Sequence, residues 1–397
     1  MEVLNTQVVD WEKLADDRAF LARIIGNGLV VVEGNEHREQ RKNVTPALSG
    51  RAIKDLVPLL WSKGLSLVKA AKREAGIRDG TFDIMEVASR ATLNAIGSAG
   101  LGKDFCSLED AEHVIAEQHS VTTDPRKGSV VFLFVISQLF PLWLAPQLPL
   151  RAHWRLNSVS ASIRRITKRL LAEKSQDMQE SSREQKDNIT MPMRSRKSTD
   201  DENHETTAGA MTWASYLISK QVGVQERLRK ECQDVCGGVS NADEIAAEMV
   251  DSTHYLDVVY NEVLRWYFAG PIISRICARP IPIGDTTVVI SPWALNRLPS
   301  LWGTDVDESH SERWTGPDGK QRGATSPHAF MTFLYWPRSF TRSSFARHEL
   351  KCLLTTLLLH FETRLKTPDE VQVRAGAITI KPKDGIELVV TEIAAPT

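Results

Sequence analysis

Apolar residues recur at helical spacing along most of this 397-residue chain, and only its last third carries runs suited to strands. Residues 51–74 set Ile53, Leu56, Val57, Leu60, Leu65 and Val68 among basic residues, the pattern of an amphipathic helix. The same period predicts helices over 83–99, 152–173, 207–219, 222–235, 254–267 and 342–362, the middle pair meeting near Gly223. Thr286 to Ser291 is a β-branched run. Ala377–Ile380 and Ile386–Val390 flank Lys381-Pro382-Lys383-Asp384-Gly385, whose Asp-Gly pair predicts a turn between paired strands. A mostly α domain with small β-sheets near its C-terminal end follows, spanning 1–397 without internal repeats. Residues 174–204 are almost wholly polar; they lack the apolar surface to offset ordering entropy and are expected to form one long flexible loop.

Composition excludes several classes. A net charge of −1 gives no electrostatic basis for a nucleic-acid partner. Five cysteines in a chain of this length do not make a disulfide framework, and a reducing, intracellular compartment is the simplest reading. Cys232 and Cys236 stand one helical turn apart, but no second ligand pair follows at zinc-site spacing, so packing is the plainer reading than a metal site. Met1 to Trp11 shows no basic or apolar leader pattern. The most apolar stretch, Val130 to Ala145, is broken by Ser137, Gln138 and Pro141, which suits a buried helix and turn or a contact with a membrane surface better than a spanning helix.

Chemistry concentrates in a few short segments. Tyr255 to Arg265 reads YLDVVYNEVLR, placing Glu262 and Arg265 at i, i+3 on one face of an apolar helix, where they can form a buried ion pair. Alone this spacing is common and carries little. Around it, in order, lie EGNEHREQRK (33–42), HETTA (204–208), ISPWALNRLPSLWG (290–303), DESHSERW (307–314), FLYWPRSF (333–340) and FARHELKCL (345–353). This ordered set resembles the cytochrome P450 family, especially its fungal members.

The resemblance implies a cytochrome P450 fold whose N-terminal anchor, first helices and first strands are missing from this chain. It further implies that His37 and Arg41, with Arg275 and Arg338, stand where the family holds the haem propionates. Glu262 and Arg265 match the pair that locks to the arginine of the Glu-Arg-Trp segment, here Arg313. Glu205 and Thr206 match the acid–alcohol pair that relays protons in the distal helix. If active, such a protein inserts one oxygen atom into a lipophilic or secondary-metabolite substrate, taking electrons from NADPH through NADPH–cytochrome P450 reductase at the endoplasmic-reticulum surface.

The chain departs from the family at its most demanding point. The family's loop reads Phe-x-x-Gly-x-Arg-x-Cys-x-Gly; here Phe333 and Arg338 match, whereas Trp336 replaces the first glycine, Phe340 the cysteine and Arg342 the last glycine. The cysteine thiolate is the axial iron ligand, and phenylalanine has no lone pair to give. Cys352 lies twelve positions further on, more than a helical turn away, and Tyr335 and His348 do not match the loop position. Glu202-Asn203 also stand where the family carries Ala-Gly, and Ser309 and Ser311 replace the usual aromatic and proline. The expectation is a P450-like protein that is catalytically inactive, with no metal ligand and thiolate ligation of haem lost. Two alternatives stay open: an active NADPH-dependent haem-thiolate monooxygenase whose gene encodes a different loop, and a non-catalytic lipophile-binding protein that is cytoplasmic or peripheral on the endoplasmic reticulum.

Overall fold

The computed structural model describes residues 11–109, 129–140, 144, 147–181, 201–268, 270, 273–277, 287–315, 326, 329–333, 343–368, 371–375 and 379–393. Helices dominate: α1 (Ala15–Ile25), α2 (Gly34–Val44), α3 (Gly50–Lys54), α4 (Val57–Ile77), α5 (Ile84–Ile96), α6 (Ser129–Leu139) and α7 (Arg151–Ser181) fill the first half. The second half holds α8 (Asp201–Lys220), α9 (Val222–Cys236), α10 (Ala247–Asp251), α11 (His254–Trp266), α12 (Pro292–Leu295), α13 (Pro299–Trp302) and α14 (Ser343–His360). The strands are β1 (Trp11–Glu12), β2 (Thr81–Asp83), β3 (Ile273–Cys277), β4 (Thr287–Ile290), β5 (Phe361–Leu365), β6 (Val373–Ala375), β7 (Ile380–Pro382) and β8 (Glu387–Glu392). All strand pairs among the described residues are antiparallel, in the orders β1-β3-β4, β2-β8-β5 and β6-β7.

The helix expected over 51–74 is two helices, because Pro58 has no backbone N–H and its ring would meet the carbonyl four residues back, at Lys54. Helix α3 therefore stops at Lys54, capped at its start by Ser49, and α4 restarts with Pro58 in its first turn. The α8–α9 break falls at Gln221 rather than at Gly223, which lies in the first turn of α9. The polar stretch is shorter than expected at both ends: α7 continues through Ser181 and α8 begins at Asp201, and 182–200 lie outside the described residues. Lys, Gln, Met and Glu in 174–180 are good helix formers, so a helix can continue there without an apolar face.

The hairpin expected from Asp384-Gly385 does not form. Strand β7 pairs with β6, whereas β8 runs between β2 and β5. The turn itself is real: Gly385 has φ +81°, a conformation that favours glycine. It redirects the chain from one sheet to another because Asp83 holds its far side. The Asp83 carboxylate caps α5 at the Met85 N–H (2.9 Å) and also accepts from the Ile386 N–H (3.4 Å), while the Ile84 N–H donates to the Ile386 carbonyl (3.0 Å).

The main core lies where α4, α5, α8, α11 and α14 meet the β2-β8-β5 sheet, with Leu67, Phe82, Val87, Met211, Trp213, Leu256, Leu353 and Leu388 buried in it. Cys232, Cys236 and Cys352 are buried packing residues of α9 and α14, and the Cys232 thiol lies 3.8 Å from the Thr355 hydroxyl. No described helix is long and apolar enough to cross a membrane. Helices α4 and α14 cross closely at Gly64, where an added Cβ would collide with the Thr356 side chain. Thr356 cannot readily swing aside, since its hydroxyl donates to the Cys352 and Leu353 carbonyls at 2.9 and 3.0 Å. Gly64→Ala is therefore expected to cost about 1–3 kcal/mol in chemical denaturation, and Thr356→Ala in the same chain to recover part of it.

Candidate functional site

Helix α11 supplies the most strongly determined group in the structure. Leu256, Val259 and Val263 on this helix join the main core, and Glu262 and Arg265 are 1% and 0% exposed. Two such charges are stable in that environment only if every polar atom is answered. Arg265 grips Glu262 in a two-pronged pair, Nε to Oε2 at 2.9 Å and Nη2 to Oε1 at 2.8 Å. Its remaining N–H groups donate to the carbonyls of Asn296 (2.8 Å), Val306 (3.0 Å) and Glu308 (3.0 Å).

The Glu262 carboxylate also accepts from Arg313 Nε (3.3 Å), the His310 backbone N–H (3.0 Å) and the Trp314 indole N–H (2.8 Å). Arg313 stands on a single 3-10 turn, Ser311–Trp314, and donates onward to the carbonyls of Trp302 (2.8 Å) and Asp305 (3.0 Å) and to the Asp305 carboxylate (3.2 Å). Trp302, Trp314 and Phe330 pack edge-on or tilted around this assembly, with ring centroids 4.9–6.4 Å apart. Glu262, Arg265 and Arg313 are thus in contact within one buried network. The indole of Trp314 is a participant that sequence spacing alone does not mark.

The remaining sequence-predicted positions are spread over separate elements. His37 and Arg41 lie one turn apart on α2, both half-buried, and partial burial lowers the Arg41 guanidinium from its ordinary value. Arg275 is buried at the centre of β3, opposite Val288 of β4, and its Nη1 donates to the Ser274 carbonyl at 2.8 Å. Phe333 packs against the main core. Arg338, Phe340, Trp336 and Arg342 lie outside the described residues.

Glu205 and Thr206 lie near the start of α8. Glu205 faces the C-terminal strand β7: Lys381 Nζ is 2.8 Å from its carboxylate, and the Thr379 hydroxyl donates to it at 3.4 Å. The next residue but one, Thr207, bonds to Glu349 of α14. Glu349 is 1% exposed, and desolvation pushes its carboxyl up to about 8, against a smaller opposing effect of the Thr207 hydrogen bond. Neither Lys381 nor Glu349 is singled out by the sequence. Lys381 sits inside an expected turn, and Glu349 inside a helix with strong apolar spacing.

The helical core, small antiparallel sheets and Glu262 assembly define a mostly helical scaffold organised around one buried charge network. A family model described as Cytochrome P450 matches residues 2–388, and the chain belongs to that family. It is 37% identical to Cytochrome P450 monooxygenase sphH of Aspergillus fumigatus over 416 aligned residues, covering 97% of this chain and 76% of that protein. It is 30% identical to Cytochrome P450 monooxygenase FSL4 of Gibberella zeae (97% and 76% covered). Cytochrome P450 monooxygenase ALT8 of Alternaria alternata is 29% identical (97% and 78% covered).

The family implies haem, and among the described residues the guanidinium groups of Arg275 and Arg41 suit its anionic carboxylates, to which the His37 imidazole can also donate a hydrogen bond. Burial pushes the Cys232 thiol up to about 12 and the Cys236 thiol to about 11, and it raises Cys352 as well. Exposed Cys106 is also raised, by desolvation and then by Asp104 and Glu109. Among the described residues no group of three or more His, Cys, Asp or Glu side chains is arranged for a metal ion.

Glu349 predicts a pH dependence of stability. Its folded value of about 8 lies above the ordinary 4.5, so between these limits the folded chain retains a proton that the unfolded chain has lost. Stability is expected to fall as pH rises through that window, with a slope approaching about 1.4 kcal/mol per pH unit at its steepest. Denaturant melts of wild type and Glu349→Gln across pH 4–9 check this, and the variant should lack that component.

Proposed function

We propose that this chain keeps the cytochrome P450 scaffold but does not form the thiolate-ligated haem on which the family's oxygen chemistry depends, and that it is not a working monooxygenase. The observation that carries this is the residue at position 340: phenylalanine stands where the family's cysteine would, within a loop that Phe333 and Arg338 keep in register. When bound through a thiolate, haem supplies oxygen activation. The phenyl ring at 340 has no lone pair to donate to iron, and the thiols of α9 and α14 are buried among packing side chains. Trp336 and Arg342 replace small loop glycines with bulky side chains, which works against a close approach of backbone to porphyrin. The scaffold positions for haem carboxylates, His37, Arg41, Arg275 and Arg338, and for the distal relay, Glu205 and Thr206, are read as inherited residues that outlast the chemistry.

Purified protein reconstituted with haem, reduced and exposed to carbon monoxide is expected to show no Soret band of the thiolate type; its appearance in the wild-type chain would overturn the reading. Phe340→Cys alone is expected to leave turnover with NADPH and reductase at background, since Trp336 and Arg342 remain.

An exposed apolar face supports a second, independent part of this reading, contact with a membrane surface. Phe132, Val135 and Leu139 share one face of α6 at i, i+3, i+7 spacing and are 50%, 49% and 71% exposed, with Phe140 at the helix end and Trp154 of α7 also exposed. Exposed apolar faces flanked by an aromatic suit the boundary of a bilayer. Flotation with phosphatidylcholine vesicles is expected to carry the wild-type chain, and Phe132→Ser with Leu139→Ser to reduce recovery severalfold.

A further inference from the structure

Glu205 is placed so that its carboxylate is already committed within the fold. Its partner, Lys381, has a side chain only 4% exposed on β7, and Glu205 itself is 11% exposed on α8. Two features make that strand a fixed neighbour of α8. The Trp213 indole N–H donates to the Ile380 carbonyl at 3.3 Å, one residue before Lys381. Thr379, two residues before Lys381, donates its hydroxyl to the same Glu205 carboxylate at 3.4 Å.

The strand pairing gives this carboxylate a further task. Lys381 lies directly opposite Arg374 on β6, and directly opposed residues of an antiparallel pair share a face. Two like charges in that relation destabilise a two-stranded sheet. Glu205 answers the buried member of that pair from across the α8–β7 interface. Removing Lys381 would leave the nearly buried Glu205 carboxylate without this cation.

We propose that Lys381 is a positioning residue that holds Glu205 as a charged anchor for the β6–β7 hairpin, so that this carboxylate serves as a fixed ionic contact rather than as a proton donor. The proposal rests on the placement of Glu205 at the family's distal-acid position. It does not rest on the identity of residue 340, and its test needs no haem. Among the described residues, the groups facing the pair include the Thr379 hydroxyl beside Lys381 and Arg374 across the sheet. On the opposite flank, Thr207 turns to Glu349 of α14.

The experiment compares the full chain with Lys381→Met, Lys381→Arg, Glu205→Gln and the Lys381→Met/Glu205→Gln double variant. Infrared difference spectra against the matching Glu205→Gln protein isolate the Glu205 signal. At neutral pH the wild type and Lys381→Arg are expected to show an ionised carboxylate stretch. In thermal melts each single charge removal is expected to cost several degrees, Lys381→Arg to restore most of the loss, and the double variant to unfold above Lys381→Met. Strictly additive losses in the double variant would overturn the proposal, as would a Lys381→Arg chain that recovers nothing. If Lys381→Met does not fold, a protonated Glu205 band in wild type or Lys381→Arg overturns it equally.

Discussion

One carboxylate organises the irregular segment between residues 296 and 314 against helix α11. Glu262 accepts from Arg265, Arg313, the His310 backbone and the Trp314 indole, and through the two arginines it gathers the carbonyls of residues 296, 302, 305, 306 and 308. Those carbonyls belong to a stretch made of short turns that has few regular backbone partners of its own. Buried backbone oxygens need donors, and here the guanidinium groups supply them. The assembly is thus less a strong bond than a template: it fixes an irregular segment that neither helix nor sheet geometry could fix. Replacing all of it with apolar groups could be tolerated energetically, whereas removing one member strands a buried charge.

This explains why some parts of the site are legible in the sequence and others are not. Glu262 and Arg265 are neighbours on one helix, so their i, i+3 spacing by itself announces a pair. Arg313 becomes visible only through the order of segments that the family shares. Lys381 and Glu349 meet the start of α8 across 176 and 142 positions of sequence from Glu205 and Thr207, respectively, and no local period encodes such a meeting. Apolar periodicity marks the core of most helices but not their interruptions. The steric veto of Pro58 is masked by the run of well-spaced apolar residues around it. Conversely, Phe361-Glu362-Thr363-Arg364-Leu365 continues the apolar spacing of α14 closely enough to hide a strand.

Strand β5 pairs with β8 along one edge, and on its other edge a side chain takes the place of a strand. The Gln225 amide of α9 donates to the Thr363 carbonyl at 2.9 Å and accepts from the Thr363 N–H at 2.8 Å, so one side chain reproduces the exchange a neighbouring strand would make. A glutamine in a polar helix gives no hint of this from sequence, since its meaning depends wholly on what lies opposite.

Asp83 carries a consequence for how this chain assembles. It caps α5 and at the same time holds Ile386, 303 residues later, so that β8 can slot between β2 and β5. The central strand of that sheet therefore reaches β2 only by closing a loop of that length, the slow kind of pairing in a folding chain. Until that pairing forms, Phe82 lacks its cross-strand neighbour Leu388 and the floor of the main core stays open.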